Sequence, residues 1–321
     1  MTAPTDTLYD LEFARHVLEG LSKFPKKLSS RYFYDARGDE LFQQIMRMPK
    51  YYLTDAEYDI LKTHRGAIAG RMGEKPFDLV ELGAGDGLKT KLLCRHFLER
   101  GIDFRYRPID ISANVLQQLE RSLAEELPGL EVRPITGEYF TALEELRRTE
   151  SRPKLVLFMG ANIGNFRREA AADFLRHLHE QLNPGDYLMV GFDLKKDPQT
   201  ILDAYNDPTG ITAEFNLNLL DRINRELGGT FDRAGWSHWE SYDPITGEAR
   251  SFLVSRKQQT VRIGVVGREF EFAAWEAVDV ELSLKYSLAE IEELRIQSSY
   301  EPVTRYFDAA CQMVDVLWQK K

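Results

Sequence analysis

Between residues 77 and 192, short apolar runs alternate with stretches whose apolar positions recur every three or four residues. Runs of the first kind read as buried strands and stretches of the second as amphipathic helices. The pattern predicts strands over 77–82, 104–111, 130–135, 154–159 and 187–192, and helices over 90–98, 114–127 and 169–182. Strands alternating with helices require right-handed crossovers and a largely parallel sheet covered on both faces, so the fold class is α/β. On either side of this segment the pattern differs. Leu11, Ala14, Val17, Leu18 and Leu21 make one face of an N-terminal helix that ends near Pro25. A short helix carries Leu41, Phe42, Ile45 and Met46, and Thr54-Asp55-Ala56-Glu57 has the form of a capping box opening another. After Asp193 the alternation stops at a hinge-like Lys195-Lys196-Asp197-Pro198. Phe215, Leu219, Ile223 and Leu227 then line a helix over 212–227, stopped by Gly228-Gly229. Residues 236–285 prefer strands, among them 250–254, 260–266, 270–273 and 278–284. A second capping box, Ser287-Leu288-Ala289-Glu290, precedes an antiparallel pair over 300–306 and 312–318. The domain reading that follows has 63–197 and 287–321 as a nucleotide-type domain, with 1–62 and 198–286 as a second, α+β domain.

Ligands of parallel sheets bind at the carboxyl ends of the strands. Four loops converge there: 83–87, Asp110, Glu138-Tyr139, and Gly160-Ala161-Asn162-Ile163-Gly164-Asn165. The first follows Glu81 and holds Gly83, Gly85 and Gly87 ahead of Lys89. Dinucleotide sites need Gly-x-Gly-x-x-Gly, so that the helix packs on the strand with pyrophosphate at its end. Here the spacing is Gly-x-Gly-x-Gly, and the Glu81 carboxylate would repel a pyrophosphate while suiting a cation such as the sulfonium of S-adenosylmethionine. Both features oppose a nicotinamide-dependent dehydrogenase. Asp110 can accept the ribose hydroxyls of a nucleoside. Two further features stay open at this level. The aromatics dense between Tyr32 and Tyr58 serve either packing or a cage whose ring faces hold an ammonium. Glu281 and Ser283 share one strand face, which a solvated sheet would also produce.

Composition narrows the setting. A chain of 321 residues with 43% hydrophobic positions builds a sizeable core. Its net charge of −9 gives no general attraction to phosphate backbones or anionic membranes, so neither nucleic acid nor membrane is an expected partner. Cys94 and Cys311 stand alone, which indicates no disulfide framework and no zinc site, and both read as small buried apolar residues. No metal is expected. Without an N-terminal apolar leader or an apolar run long enough to span a bilayer, the expected setting is cytoplasmic.

Taken in order, Phe33-Tyr34-Asp35, Leu41-Phe42, Tyr51-Tyr52, Glu81-Leu82-Gly83, Asn162-Ile163-Gly164-Asn165, Asp207-Pro208, Phe215-Asn216 and Asn224-Arg225-Glu226-Leu227 resemble the histidine-specific N-alpha-methyltransferases of ergothioneine biosynthesis. The resemblance runs from about Pro25 to the C-terminus. It implies a class I methyltransferase fold, a Rossmann-like seven-stranded sheet, with a substrate domain built from the N-terminal segment and a late insertion. The activity implied is conversion of L-histidine to its trimethylammonium betaine, hercynine, with S-adenosylmethionine as donor, by a monomer. It also implies that Gly83, Lys89, Asp110, Glu138 and Tyr139 meet the donor, and that Tyr51, Asn165 and Tyr205 hold the amino and carboxylate groups of the substrate. Glu281 and Ser283 would receive the imidazole, because a ring N–H needs an acceptor and a ring nitrogen a donor. Tyr34 and Phe42 would line the ammonium end, and Tyr34 with Asn165 would orient the amine lone pair. Ser251 falls near a position that carries a bulky apolar residue over the imidazole in histidine-selective members, which makes another aromatic amino acid such as tryptophan the rival substrate.

Overall fold

In the computed structural model, which describes residues 5–73, 75–149 and 151–321, the N-terminal periodicity becomes α1 (Thr5–Ser22). A 3-10 turn at Ser30–Phe33 leads to α2 (Ala36–Ile45), whose N-cap Asp35 accepts the Gly38 N–H. Next come α3 (Tyr52–Met72), β1 (Phe77–Leu82), α4 (Thr90–Glu99), β2 (Phe104–Asp110), α5 (Ala113–Glu126) and β3 (Ile135–Thr136). The alternation continues through α6 (Tyr139–Thr149), β4 (Lys154–Phe158), α7 (Arg168–Gln181) and β5 (Tyr187–Asp193). Two helices, α8 (Pro198–Tyr205) and α9 (Ile211–Leu227), precede β6 (Trp236–Asp243), β7 (Glu248–Ser255), β8 (Gln259–Ile263), β9 (Arg268–Phe272) and β10 (Ala277–Leu284). The chain then forms α10 (Leu288–Gln297), β11 (Glu301–Phe307) and β12 (Met313–Gln319).

These elements divide between two units, the described residues up to Tyr52 with Lys196–Ser283, and Leu53–Lys195 with Leu284–Lys321. The second unit holds a seven-stranded sheet in the order β11-β12-β5-β4-β1-β2-β3. Strands β1 to β5 pair in parallel, whereas β12 runs antiparallel to both β5 and β11. This is the class I methyltransferase sheet. Strands β1, β2, β4, β5 and β12 are buried on both faces because helices cover both, while the edge strands β3 and β11 are partly exposed, and Val80, Leu82, Val156, Phe158, Val190, Leu175 and Leu178 join one apolar core. The first unit has a core of its own. Phe13, Val17 and Leu21 of α1, Leu41 and Ile45 of α2, and Phe215, Leu219, Ile223 and Leu227 of α9 pack with Leu253, Val280 and Phe272. Its sheets are three-stranded, β10-β7-β6, and two-stranded, β8-β9. The unit boundaries differ from those read in the sequence chiefly in α3, which belongs to the second unit almost entirely.

Several local expectations need correcting. The strand over 130–135 reduces to Ile135–Thr136 and a lone bridge from Tyr106 to Val132. Pro134 has no N–H to give a ladder, which stops the run from pairing along its length. The hinge-like stretch 195–198 does contain the change of unit, after Lys195, and it also starts a helix, with Asp197 capping and Pro198 in the first turn of α8. Thr54-Asp55-Ala56-Glu57 opens no helix, since α3 is under way from Tyr52 and Glu57 is fully buried. The box at Ser287 and Glu290 does form, both reciprocal bonds included. Cys94 is buried as expected, but Cys311 is exposed, in the turn before β12 where its N–H donates to the Asp308 carbonyl. No helix among the described residues is long and apolar enough to cross a membrane.

Candidate active site

The strand ends of the sheet assemble the first group of candidate residues, all within the second unit. Gly83 closes β1, donating its N–H to the Ile109 carbonyl at 2.9 Å, with a φ of +74°. That left-handed backbone costs a side chain strain that glycine avoids. A Cβ there would also stand 2.7 Å from the Tyr139 hydroxyl oxygen and 4.0 Å from Asn162 Nδ2. A bare backbone is thus walled by Tyr139, from the start of α6, and Asn162, from the 3-10 turn after β4. Lys89 precedes α4, and its Nζ lies 3.7 Å from where a Gly160 Cβ would be. It donates to the Glu57 carboxylate.

Asp110 ends β2 and accepts the Ser112 N–H at 2.9 Å. Burial raises its pKa, while the amides of Ser112, Gly85 and Ile111 pull the other way by favouring the carboxylate. Through that amide Gly85 joins the glycine loop to Asp110. Glu138 stands one residue before α6, where its carbonyl accepts the Ala142 N–H at 3.1 Å. Glu81 turns inward. Its oxygens accept from the Thr90 hydroxyl at 2.6 Å and from the Tyr106 hydroxyl, and burial lifts its pKa to about 7. The carboxylate that the sequence set beside a cationic ligand is therefore engaged with the fold on both oxygens. Asn165 ends the same 3-10 turn that Asn162 begins, with its side chain exposed.

The other candidates gather in the first unit around a set of rings. Tyr34 lies edge-on to Phe42 and to Phe215, with centroids 5.5 Å apart in each case, and Phe42 is 5.8 Å from Phe215. Tyr51 continues the set, 6.5 Å from Phe42 and 6.1 Å from Tyr205. The backbone on either side of Tyr34 is fixed by polar contacts. Arg222 Nη1 donates to the carbonyls of Tyr32 at 3.1 Å and Tyr34 at 3.4 Å, and Asn218 Nδ2 donates to the Asp35 carboxylate at 2.8 Å. The Phe33-Tyr34-Asp35 motif and helix α9 are thereby one structure. Desolvation and then the Glu281 carboxylate raise the pKa of the Tyr34 phenol well above the ordinary tyrosine value. Because 44% of the residue stays exposed, desolvation counts for less here than for a sealed ring. The phenol keeps its proton at neutral pH.

Polar groups stand on the strands of the same unit. The hydroxyls of Tyr205 and Ser283 are hydrogen-bonded at 2.9 Å. Ser251 on β7 donates to Glu240 of β6 at 2.7 Å and has Glu281 of β10 at 3.3 Å on its other side. Ser251 and Glu240 are buried and Glu281 is partly so. Glu281 and Ser283 of β10 thus form a polar group with Tyr205 from the end of α8, and Tyr34, Phe42, Tyr51 and Phe215 an aromatic one. Ring faces attract cations by about 0.5–2 kcal/mol each, depending on desolvation. In the sequence Phe215 stands among four apolar positions on a helix face and in the Phe215-Asn216 motif, and neither marks it as a site wall, because a core position and a site wall give the same periodicity. Nothing in the sequence singles out Asn162 apart from its turn, or Glu240 at all. The register of β6 and β7, which sets Glu240 opposite Ser251, is what exposes the latter.

Comparison with known proteins follows the same lines. Residues 13–320 match the family described as histidine-specific methyltransferase, SAM-dependent. A histidine N-alpha-methyltransferase of Mycolicibacterium smegmatis is 36% identical over 290 residues, covering 89% of each chain. Ergothioneine biosynthesis protein 1 of Schizosaccharomyces pombe is 32% identical over 87% of this chain and 37% of its own. More distant is an L-tryptophan methyltransferase of Psilocybe serbica, 26% identical over 87% of this chain and 84% of its own.

Proposed function

Since the chain belongs to the S-adenosylmethionine-dependent, histidine-specific methyltransferases, we propose that it methylates the α-amino nitrogen of L-histidine, through to the trimethylammonium betaine. The observation that carries this reading is the pairing, in one unit, of an aromatic group around Tyr34 with the Glu281 and Ser283 face. One suits an ammonium that grows larger and less hydrated with each methyl, and the other suits an imidazole.

The donor fits the other group of residues. The bare backbone at Gly83 and Gly160 leaves room that a Cβ would fill, Asp110 offers a carboxylate to ribose hydroxyls, and Lys89 offers an ammonium. The single anionic group of S-adenosylmethionine is its carboxylate, so Lys89 is assigned to it. When bound, the donor supplies a methyl group activated by a sulfonium. Gly85 supports Asp110 through its amide, and Glu138 and Tyr139 flank the nucleoside. Glu81 acts from within, holding the start of α4 through Thr90.

Methyl transfer is an in-line displacement, in which alignment of the amine supplies most of the catalysis. Tyr51 and Tyr205 are assigned to the amino and carboxylate groups of histidine, with Tyr205 also orienting Ser283. Tyr34 is a hydrogen-bonding phenol that orients the nitrogen and is no base, and the amine proton departs to solvent. Phe42 and Phe215 form the walls against which the methylated nitrogen rests. Glu281 accepts a ring N–H, Ser283 serves the other ring nitrogen, and Ser251 stands between the Glu281 and Glu240 carboxylates with its one O–H turned to Glu240. The polar link from Ser251 to Glu240 and Glu281 favours imidazole over indole, which has one N–H and no acceptor.

The test is mass spectrometry of the protein with S-adenosylmethionine and an equimolar mixture of the twenty amino acids. Trimethylated histidine is the expected product. Methylated tryptophan would keep the chemistry and transfer specificity to the Ser251 region, and no methylated amino acid would overturn the reading. A second expectation concerns Tyr34→Phe, which should slow the later methylations about tenfold, so that mono- and dimethylhistidine accumulate, with donor affinity unchanged. Undiminished trimethylation by this variant would remove Tyr34 from the reaction.

A further inference from the structure

Glu57 lies deep in the second unit, and its place there is explained neither by helix capping nor by the reaction as described. The residue is fully buried on α3. Its two oxygens accept the Gly160 N–H at 2.7 and 3.0 Å, and one of them also takes the Lys89 ammonium. Behind it stands Asp315 of β12, also fully buried, with neither carboxylate oxygen hydrogen-bonded among the described residues. The residue paired with Asp315 across the sheet is Gly191 of β5. A Cβ on Gly191 would overlap Glu57 Oε1 and stand 3.2 Å from Asp315 Oδ1. Two carboxyl groups therefore face each other over a glycine, in a space that any side chain would close.

We propose that Glu57, backed by Asp315, is the positioning residue that aims Lys89 at the carboxylate of the methyl donor. The inference rests on the donor assignment of Lys89 above. A lysine side chain has four rotatable bonds, and an ammonium left to itself would spread over many positions. Glu57 binds it at the same place as the Gly160 amide, so one carboxylate ties the lysine to the loop after β4. Charge explains Asp315. Adjacent buried carboxyls do not both ionise, and burial first, then Glu57 and Asp308, push the Asp315 carboxyl well above its ordinary range against the pull of Lys89. We assign the one proton of this carboxyl pair to Asp315, which leaves Glu57 ionised toward Lys89 and makes Asp315 a neutral neighbour rather than a hydrogen-bond partner of Glu57. The charged and titratable groups facing this pair are Lys89 before α4, Glu81 on β1 and Asp308 in the turn before β12. With the proton on Asp315, the Lys89–Glu57 ion pair and its neutral neighbour sum to zero charge, which a buried site tolerates.

Calorimetric binding of two donor analogues tests this without turnover. S-adenosylhomocysteine carries the amino-acid end that Lys89 would meet, and 5′-methylthioadenosine lacks it. Glu57→Gln should weaken S-adenosylhomocysteine about tenfold or more and 5′-methylthioadenosine less than twofold. Asp315→Ala should weaken the first about fivefold, and Asp315→Asn, a neutral side chain of nearly the same size that keeps Glu57 backed, should recover most of that loss. Equal weakening of both analogues by Glu57→Gln would mean a general structural role and overturn the proposal, as would no weakening of either. If the variants do not fold, the wild-type protein decides: a protonated-carboxyl infrared band that persists about two pH units above the Glu81 range supports a neutral Asp315, and its absence there overturns it. Failure of the wild type to bind S-adenosylhomocysteine at all would instead refute the donor assignment itself, and the proposal with it.

Discussion

Glu281→Ala is expected to raise the KM for histidine about 10- to 100-fold with little change in the affinity for S-adenosylhomocysteine. A hydrogen bond to a charged acceptor contributes about 1.5–3 kcal/mol, and the two neighbouring hydroxyls are already engaged. Ser283 is tied to Tyr205 at 2.9 Å, and Ser251 already lies between Glu281 and Glu240. Removing the Glu281 carboxylate leaves a ring N–H in a partly buried place with no partner on that side. Glu281→Gln, which keeps a carbonyl acceptor without the charge, should fall between the two. Steady-state kinetics on histidine, beside calorimetry on the donor analogue, separates loss of ring recognition from damage to the fold. A KM within twofold of wild type would remove Glu281 from the substrate site.

Asp78→Ala should destabilise the protein by about 3–5 kcal/mol, the usual cost of breaking a buried ion pair by removing one partner. Asp78 is fully buried at the start of β1 and receives Arg105 Nε at 2.7 Å and Arg105 Nη2 at 2.9 Å, with Arg107 Nε at 3.3 Å. Both arginines are themselves buried on the neighbouring strand, opposite Asp78 and Val80. Without the carboxylate two guanidinium groups lose their counter-charge inside the sheet. At roughly 2–4 °C per kcal/mol, the melting midpoint should fall by about 10 °C. Because the pair lies at the amino ends of the strands, away from Gly83 and Asp110, the donor affinity of the folded fraction should hold. A midpoint within 2–3 °C of wild type, roughly what 1 kcal/mol would produce, would show that water or other groups replace the carboxylate.

These two residues illustrate what the sequence discloses and what it withholds. Strand and helix periods made the methyltransferase sheet legible, since alternation alone dictates a parallel core and places its ligand end. Glu281 and Ser283 could be paired from their spacing of two along a strand, but their ligand was readable only by resemblance. Asp78 was silent, because an acidic residue in an apolar run gives no sign of whether arginines on the next strand will meet it. The same limit hid Glu240 and Phe215, whose importance lies in cross-strand register and ring distances. In the case of Glu57 a local rule pointed elsewhere: Thr-x-x-Glu is the form of a capping box, and burial against Lys89 prevailed over it. Pro134, by contrast, carries its signal in the sequence, since a residue without an N–H limits the pairing of any strand over 130–135.

The antiparallel strand β12 gives the fold a particular order of assembly. It pairs with β5 from Met313 opposite Asp193 to Gln319 opposite Tyr187, yet in the chain all of Lys196–Ser283 lies between the two. While a ribosome is still delivering that segment, β5 presents an unpaired hydrogen-bonding edge beside an apolar face, a template for aggregation. The closing contact spans a long stretch of sequence, so the entropy of bringing its ends together favours slow completion of the sheet unless the intervening segment condenses first and shortens the search. The insertion that holds the ring-lined residues thus also acts as a delay between two halves of one sheet, and its own prompt collapse governs how long the edge of β5 is left uncovered.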